Sequence, residues 1–302
     1  MKRTQKMAGT LATLSLALAA GSAQAVSLVG LTTDNRLTVF DSASPAMTSP
    51  YLAITGVTAG ARIVGIDTRP GDNRIYGVGT DNLLYTLDAA TGVATQQATL
   101  TGATISSSLS YGIDFNPVAD AAGGASLRLV TSAGNNYAIN ANTGVIGNTA
   151  NMLPGGIGIG GVAYTNSVAS PAPASTGLYY IDYTNDLLLL APTAFNAPAI
   201  QVVGSLGMDS IGAFGFDILA DGSAFATLTS GVSGQSGLYS INLANGSATL
   251  LGGFGAASPL LAGLTAAPMA TPVPEADTYA LLLAGLGVVA MAVRRRGRLQ
   301  AA

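Results

Sequence analysis

Cysteine, histidine and tryptophan are absent from the 302 residues of this chain. Their absence excludes disulfide bonds, zinc sites of the usual Cys/His type, and catalysis by Ser-His-Asp or Cys-His groups. Between residues 26 and 272 lysine and glutamate are absent as well, which also excludes a Schiff-base lysine. Aspartate, tyrosine, serine, threonine and arginine are left for chemical roles, and stability must come from burial in a core and in sheets.

Positive charge is scarce in the same region. It holds thirteen aspartates and five arginines, so its formal net charge is −8. Such a surface repels phosphate backbones, and we therefore expect no nucleic acid partner. Divalent cations and neutral or cationic polymers are the partners that this charge favours.

The N-terminus has the three parts of a secretory signal peptide. Basic residues lie at positions 2, 3 and 6, an apolar stretch covers residues 11–20, and Ala23 and Ala25 form a small-residue cleavage site. We predict that residues 1–25 are removed after export and that the mature chain begins at Val26. The secretion translocon and signal peptidase are the partners that this segment implies.

The C-terminus carries a second targeting pattern. A linker at 268–278 contains Val273-Pro274-Glu275-Ala276, an apolar run follows at 279–293, and the end of the chain, 294–302, contains Arg294, Arg295, Arg296 and Arg298. The run is shorter than the ~20 residues that usually span a bilayer, so a buried core helix is the alternative. It is apolar all round, however, and arginines directly after an apolar segment are typical of a membrane stop with a cytoplasmic basic end. We predict a transmembrane helix at 279–293 and a cytoplasmic tail.

These C-terminal features resemble the PEP-CTERM sorting signal of Gram-negative bacteria, in which a Pro-Glu-Pro motif precedes a short membrane helix and an arginine-rich tail. Ala276 stands where that signal usually has its second proline. The resemblance implies that an exosortase recognises and processes the tail. It also implies an exported protein that is held briefly in the inner membrane and then released to the cell surface or extracellular matrix, in bacteria that make exopolysaccharide.

Internal repetition predicts the architecture. Residues 28–41 align without a gap with residues 75–88, and both copies contain Thr-Asp-Asn at the same place. Two alternating runs joined by such a turn are typical of a β-hairpin. The second strand of this hairpin recurs at 84–88, 136–140, 178–182 and 238–242.

A different series of strands opens each repeat and carries one glycine. These glycines are Gly65, Gly112, Gly161, Gly215 and Gly263, spaced 47, 49, 54 and 48 residues apart. Repeats of about 40 to 50 residues with about four strands each are typical of a β-propeller. We therefore predict an all-β, five-bladed propeller over residues 26–267, in which strands from both termini complete the first blade. We expect the fourth blade to be degenerate, with a Pro/Ala/Ser loop at 167–175.

Two other β architectures are less consistent with this spacing. The coils of an open β-solenoid are usually shorter and need no matching end strand, and a β-sandwich does not repeat at this interval. The Gly-Ile-Asp and Leu-Tyr-x-Ile-Asp strands are similar to those of a bacterial domain family of unknown function. That resemblance supports the architecture and implies no activity.

Three of the opening strands carry an aspartate two residues after the glycine: Asp67, Asp114 and Asp217. Ala163 and Thr265 take this position in the other two repeats. If these strands are innermost, three carboxylates lie around the axis and repel one another unless a cation neutralises them, and calcium is the candidate metal because it prefers oxygen ligands. The alternative is that each aspartate accepts backbone N–H bonds at its own strand end, with no cofactor.

The function that fits these features best is a non-catalytic structural or polysaccharide-associated role at the cell surface or in the extracellular matrix. The alternative is a glycoside hydrolase that uses two of the axial aspartates, because glycosidase chemistry needs a pair of carboxyl groups. The region between residues 26 and 272 has no glutamate for a general acid and no tryptophan for sugar stacking. We therefore expect no enzymatic activity.

Overall fold

The computed structural model describes residues 25–148, 153, 156–255 and 258–269, without the side chains of residues 213 and 214. Most of the expected signal peptide, and everything from residue 270 onward, lie outside the described residues, including the sorting motif, the apolar run 279–293 and the arginine tail. No helix in the described ranges is long and apolar enough to cross a membrane. The chain divides into two units, Met1–Ala266 and Ala267–Ala302. All the regular elements described below belong to the first unit.

The described part of the chain is almost entirely β-structure. Its one short helix is α1 (Pro117–Ala121). The strands are β1 (Ser27–Thr32), β2 (Arg36–Asp41), β3 (Leu52–Ala53), β4 (Ile63–Arg69), β5 (Arg74–Gly79), β6 (Leu83–Leu87), β7 (Ala94–Thr99), β8 (Tyr111–Phe115), β9 (Ser126–Thr131), β10 (Asn136–Asn140), β11 (Ile159–Tyr164), β12 (Leu178–Asp182), β13 (Leu187–Ala191), β14 (Gln201–Ser205), β15 (Ser210–Ile218), β16 (Ala224–Ser230), β17 (Ser236–Ile241), β18 (Ala248–Gly253) and β19 (Leu261–Ala266).

The strands form five antiparallel sheets, one for each blade. From the inside outward, the strand orders are β19-β1-β2-β3, β4-β5-β6-β7, β8-β9-β10, β11-β12-β13-β14 and β15-β16-β17-β18 for the first to the fifth blade. The innermost strands contact one another in the cyclic order β19, β4, β8, β11, β15 and back to β19. The predicted five-bladed propeller is confirmed.

Strands from both ends of the propeller complete the first blade. Strand β19 pairs with β1 so that Ala266 lies opposite Leu28 and Gly263 opposite Leu31. Just beyond this pairing, the backbone N–H of Thr33 donates to the carbonyl oxygen of Leu260 at 2.8 Å. Because the last strand lies between the first strand and the axis, the inner edge of β1 is paired.

The Thr-Asp-Asn turns form as the sequence predicts. Asn35 and Asn82 adopt the left-handed backbone region, with φ of 65° and 60°. Asparagine tolerates this region better than most residues with a side chain. The turns connect β1 to β2 and β5 to β6, and both pairs are antiparallel.

The prediction that the fourth blade is degenerate is wrong. The fourth blade has four strands, and the third blade has three. The outer segment of the third blade makes isolated bridges instead, Ile146 with Ile139 of its own blade and Val145 with Thr101, which follows the last strand of the second blade. Among the described residues, the third blade therefore has three strands and these isolated bridges in place of a fourth.

One of the recurring runs also has a different place from the one that the repeat suggested. Residues 84–88, 136–140 and 238–242 overlap the third strands of their blades, which are β6, β10 and β17. Residues 178–182 form β12, which is the second strand of the fourth blade. A Leu-Tyr-x-Ile-Asp pattern therefore specifies a strand but not its position within the blade.

Apolar side chains pack between neighbouring blades. One cluster joins the first and fifth blades through Leu28, Phe40, Phe225 and Leu238, which are at most 7 % exposed. Similar clusters join the second blade to the third, the third to the fourth, and the fourth to the fifth. Burial of each such side chain contributes about 1.5–3 kcal/mol. These interfaces provide the stability that a chain without cysteine cannot obtain from disulfide bonds.

The five glycines of the opening strands allow the innermost strands to approach closely. A Cβ on Gly112, Gly161 or Gly215 would lie 2.6–2.8 Å from the next innermost strand, nearer than real side chains come. A Cβ on Gly65 would lie 3.3 Å from the side chain of Ile113, and a Cβ on Gly263 would lie 3.1 Å from that of Ile66, each on the next blade. The cavity enclosed by these strands measures only about 10 Å³. A water molecule needs about 10–15 Å³, so this cavity has room for about one water molecule at most.

Candidate functional site

The three axial aspartates converge as the repeat implies. Asp67 lies on β4, Asp114 on β8 and Asp217 on β15, each two residues after the glycine of its innermost strand. Each offers a carboxylate oxygen, and these oxygens lie within 4.8 Å of one another. The three residues are only 2–5 % exposed.

Each aspartate accepts a backbone N–H from the innermost strand of the next blade. Asp67 Oδ2 accepts from Phe115 at 2.8 Å, and Asp114 Oδ1 accepts from Tyr164 at 3.0 Å. Asp217 Oδ2 accepts from Ala266 at 2.7 Å. The sequence alternative, backbone N–H acceptance, is right in its chemistry, although these three bonds join neighbouring blades. Backbone N–H groups of Thr68 and Ile218, which follow Asp67 and Asp217 on their own strands, also lower the pKa of those two carboxyls.

Thr265 has the same role in the first blade. Its Oγ1 accepts from the backbone N–H of Thr68 at 2.8 Å and donates to Asp67 Oδ1 at 3.1 Å. Ala163, at the fifth equivalent position, has no side chain that can accept a hydrogen bond. Four of the five contacts between innermost strands are therefore bridged by a side-chain oxygen, and the contact between the fourth and fifth blades is not.

Burial changes the acidity of the cluster. Burial, followed by the charge of Asp217, raises the pKa of Asp67 well above its usual value, and burial with the charges of Asp67 and Asp217 does the same for the pKa of Asp114. Burial also raises the pKa of Asp217, to about 6, although backbone N–H groups oppose that change. Protonation or a bound cation can each relieve the repulsion among three carboxylates at this distance.

The carboxylates are poorly placed for work on a polymer. Glycosidase chemistry needs a sugar bound between two carboxyl groups, which are about 5–9.5 Å apart. Here one oxygen of each carboxylate lies within 4.8 Å of the others, the three residues are buried, and the cavity between the innermost strands, about 10 Å³, is far smaller than a sugar ring. The arrangement suits hydrogen bonds between blades or the coordination of a small ion.

An open groove of about 410 Å³ lies elsewhere, between the third and fourth blades. Its lining comes from the third blade and from the loop between β13 and β14: Asn116, Ser126, Arg128, Ala138, Ala194, Phe195, Asn196 and Ala197. Arg128, on β9, is 2 % exposed. The groove is thus larger than the cavity between the innermost strands and contains a buried cationic side chain.

Neutral oxygens surround the Arg128 guanidinium. Nε donates to the Tyr164 hydroxyl at 3.2 Å, Nη1 donates to Asn136 Oδ1 at 3.1 Å, and Nη2 donates to Asn196 Oδ1 at 2.9 Å. The ion pairs in the described structure involve Arg36 and Arg69, and none involves Arg128.

The fourth-blade loop that forms one wall of the groove is tied to the third blade. Asn136 Nδ2 donates to the carbonyl oxygen of Phe195 at 2.9 Å, and Asn148 Nδ2 donates to that of Asn196 at 3.2 Å. The rings of Phe195 and Tyr164 meet edge to face, with centroids 5.0 Å apart. Backbone and ring contacts therefore hold this wall in place beside the guanidinium.

The sequence analysis did not identify Arg128 as a site residue. A signal was available, because Arg128 interrupts the apolar run Leu127 to Val130 and both faces of a strand inside a blade are buried. Two of its three hydrogen-bond partners, Tyr164 and Asn196, come from the fourth blade, and no spacing in the sequence relates them to Arg128.

Two family models match the chain. The model described as "Domain of unknown function (DUF4394)" matches residues 36–265, and the PEP-CTERM protein-sorting motif matches residues 272–296. The curated proteins include no significant match.

Several solved structures are similar to the chain at low identity. The calcium-binding protein regucalcin from Agrobacterium tumefaciens is 17% identical with a TM-score of 0.41, over 70% of this chain and 65% of that chain. A chain of the nidogen/laminin complex is 12% identical with a TM-score of 0.46, over 80% of this chain and 98% of that one. The Cps50 (Swd1) β-propeller domain of Myceliophteria thermophila is 10% identical with a TM-score of 0.38, over 64% of this chain and 56% of that one. The chain thus spans less than two thirds of regucalcin, and none of these similarities extends to what those proteins bind.

Proposed function

Because the chain belongs to the DUF4394 family and ends in a PEP-CTERM sorting motif, we propose that it is a non-catalytic propeller that has a structural role in association with polysaccharide outside the cell. The sorting motif implies an exosortase substrate that is exported to the cell envelope or surface of a Gram-negative bacterium. The resemblances found in the sequence, to the PEP-CTERM signal and to a family of unknown function, are confirmed by these matches. The final location and the polymer belong to the proposal.

The observation that carries the non-catalytic assignment is the position of the axial carboxylates. They are the best candidates for acid and base groups, because the chain has no histidine or cysteine and has no glutamate between residues 26 and 272. All three are buried and accept hydrogen bonds from the backbone of the next blade. Burial and these hydrogen bonds between blades support a structural role for the three carboxylates.

The association with polysaccharide is supported by the sorting signal and by the charge of the domain. The resemblance to PEP-CTERM proteins implies a bacterium that makes exopolysaccharide. The net charge of −8 and the absence of lysine between residues 26 and 272 disfavour a nucleic acid partner in the matrix. No observation in the site favours the hydrolase alternative.

Incubation of the purified full chain with extracellular polysaccharide tests this proposal. We expect the chain to co-sediment with the polymer and to release no new reducing ends, because its carboxylates cannot reach a glycosidic bond. The Asp67→Asn variant is the matched control, since it removes one axial carboxylate with little change of shape. New reducing ends that disappear in this variant would establish the hydrolase, and a chain that stays in the supernatant with all polymers tested would contradict the association.

A further inference from the structure

Arg128 is different from the other four arginines of the exported region. Arg36 and Arg69 form ion pairs with aspartates, and Arg62 and Arg74 are exposed to solvent. Arg128 alone is buried, and none of the thirteen aspartates between residues 26 and 272, all of them described, lies within ion-pair distance of it. Buried charges are normally paired, because removal from water is strongly unfavourable.

The guanidinium also has donors to spare. It carries five N–H groups, and the three hydrogen bonds described above use one on Nε, one on Nη1 and one on Nη2. One N–H therefore remains on each terminal nitrogen. Two N–H groups on one guanidinium match the two oxygens of a carboxylate, which arginine binds more specifically than lysine does.

The groove beside Arg128 has the size and the lining of a small-molecule site. Its volume of about 410 Å³ falls within the range of about 300–1,000 Å³ that is usual for ligand pockets. Asn116, Asn196 and Ser126 place neutral polar groups along it, and Phe195 contributes a half-buried ring. This combination suits a ligand that carries hydroxyl groups and one anionic group.

The backbone at two edges of the groove is strained. Of the described residues other than glycine, seven have positive φ, and two of these are alanines: Ala125, with φ of 44°, and Ala194, with φ of 55°. Ala125 precedes the lining residue Ser126, and Ala194 lines the groove itself. The left-handed backbone region is less favourable for alanine than for asparagine or glycine. Backbone strain of this kind is concentrated at functional sites.

We propose that this groove binds an acidic sugar residue of a polysaccharide, with the sugar carboxylate on the Arg128 guanidinium and its hydroxyl groups along the Asn116, Ser126 and Asn196 side. The inference rests on the proposed polysaccharide association and specifies its ligand as a uronate-bearing polymer. One guanidinium accommodates one carboxylate. The net charge of −8 repels a polyanion as a whole, so binding of a uronate-bearing polymer depends on this local pair.

Calorimetric titration of the full chain in detergent with an oligogalacturonate and with its fully methyl-esterified form tests the proposal, because the two ligands differ in the charge of the carboxyl group. We expect binding of the acid and at least about tenfold weaker binding of the ester, which corresponds to the loss of one charge-assisted hydrogen-bonded pair. Equal affinities for the two forms would overturn the assignment. Acetate that binds as tightly as the oligogalacturonate would overturn the sugar part of it.

Three variants locate the site. Arg128→Met should reduce affinity for the oligogalacturonate at least about tenfold, and Ala197→Trp should do the same by filling the groove without touching the guanidinium. Arg62→Met, which removes an exposed arginine elsewhere, should bind as the wild type does. If Arg128→Met fails to fold, Ala197→Trp still decides the matter, and full affinity in a folded Ala197→Trp chain contradicts the proposal.

Co-sedimentation with extracellular polysaccharide distinguishes failure of the proposed acidic-sugar site from failure of the proposed function. If the wild type co-sediments with extracellular polysaccharide and both groove variants do so equally, the chain associates with polymer but not through Arg128. If the oligogalacturonate binds at Arg128 and no extracellular polysaccharide co-sediments, the groove inference stands and the proposed function falls.

Discussion

The axial cluster and the groove contain opposite kinds of buried charge. At the axis, three carboxylates lie close together without a cationic side chain in the cluster, and in the groove a guanidinium is surrounded by neutral oxygens. A carboxylate can lose its charge by binding a proton, and burial raises the pKa of each axial aspartate in that direction. A guanidinium cannot lose its charge in a protein. The axial site can therefore lower its charge by protonation as well as by binding a cation, whereas the guanidinium in the groove can be neutralised only by an anion.

We expect the largest loss of stability when the innermost strand of the first blade, which carries Thr265 and Ala266 of the axial site, is deleted. Deletion of residues 261–267 removes β19, the acceptor Thr265 and the Ala266 N–H that Asp217 binds. The first blade loses its inner strand, and we expect the free energy of unfolding to fall by several kcal/mol out of a typical ~5–15 kcal/mol, with aggregation. Thermal unfolding measures the loss. Replacement of the exposed loop 169–172 by Gly and Ser is the control, and a deletion no more harmful than this replacement would show that the termini do not close the ring.

The next largest effect is a pH dependence of stability, which we expect from the axial carboxylates and not from the Arg128 guanidinium. Because the pKa of Asp217 rises from 3.8 to about 6 on folding, its protonated form stabilises the fold below pH ~4, and that contribution disappears as the pH rises through about 6. The change amounts to roughly 3 kcal/mol for this group, and the raised pKa values of Asp67 and Asp114 extend the decline to higher pH. Urea unfolding between pH 4 and 8 should show stability decreasing with pH.

The Asp217→Asn variant is the control for this pH dependence. It keeps an acceptor oxygen for the Ala266 N–H and cannot ionise, so we expect a flatter profile than that of the wild type. A wild-type profile in which stability rises with pH would contradict charge loss as the way in which the axial site tolerates burial. Asp34 and Asp81, whose pKa values are lowered by hydrogen bonds, act in the opposite direction and are largely outside the core.

A smaller effect should come from the packing that brings the axial carboxylates together. In Gly215→Ala the added methyl group would lie 2.6 Å from the backbone nitrogen of Leu264, so the innermost strands must separate. We expect a loss of about 1–3 kcal/mol, the usual cost of overpacking. Gly147→Ala is the control, because the nearest atom to its Cβ is 3.9 Å away. Equal melting temperatures for the two variants would show that close approach of the strands is not required.

Calcium should have the smallest effect. If protonation and backbone bonds satisfy the axial aspartates, then saturating calcium leaves the melting temperature of the wild type unchanged at pH 6. If the cluster binds calcium, a hundredfold excess over Kd would add ~2.7 kcal/mol, and Asp114→Asn would abolish the gain. Melting curves with calcium and with a chelator distinguish these outcomes, and a calcium-dependent increase lost in Asp114→Asn would establish the metal site.

Much of the fold could be predicted because its signals are local or periodic. The Thr-Asp-Asn hairpins depend on a turn in which Asn35 and Asn82 take positive φ, and that preference belongs to the residue itself. The glycines at intervals of 47 to 54 residues marked the innermost strands, and the matching end strand at Gly263 predicted ring closure. The position of the axial aspartates followed from their place two residues after these glycines.

Other features could not be predicted because they depend on partners far apart in the chain. The donors to the axial aspartates lie 48 to 50 residues away, and the bond from Thr68 to Thr265 spans 197 residues. The bridge between Thr101 and Val145 likewise joins residues 44 positions apart that lie in different blades.

The sequence by itself determined the two targeting patterns, the repeat, the β-strands and the presence of an aspartate on three equivalent strands. These properties follow from turn chemistry, alternation and spacing, which act over a few residues or recur at a fixed interval. The tertiary structure alone decided that the aspartates join neighbouring blades, and that Arg128 lies buried beside a groove formed by Phe195 and Asn196 of the next blade. The reason is physical: hydrogen bonds and ion pairs act over a few ångströms, and only the packing of one blade on the next brings these groups within that distance.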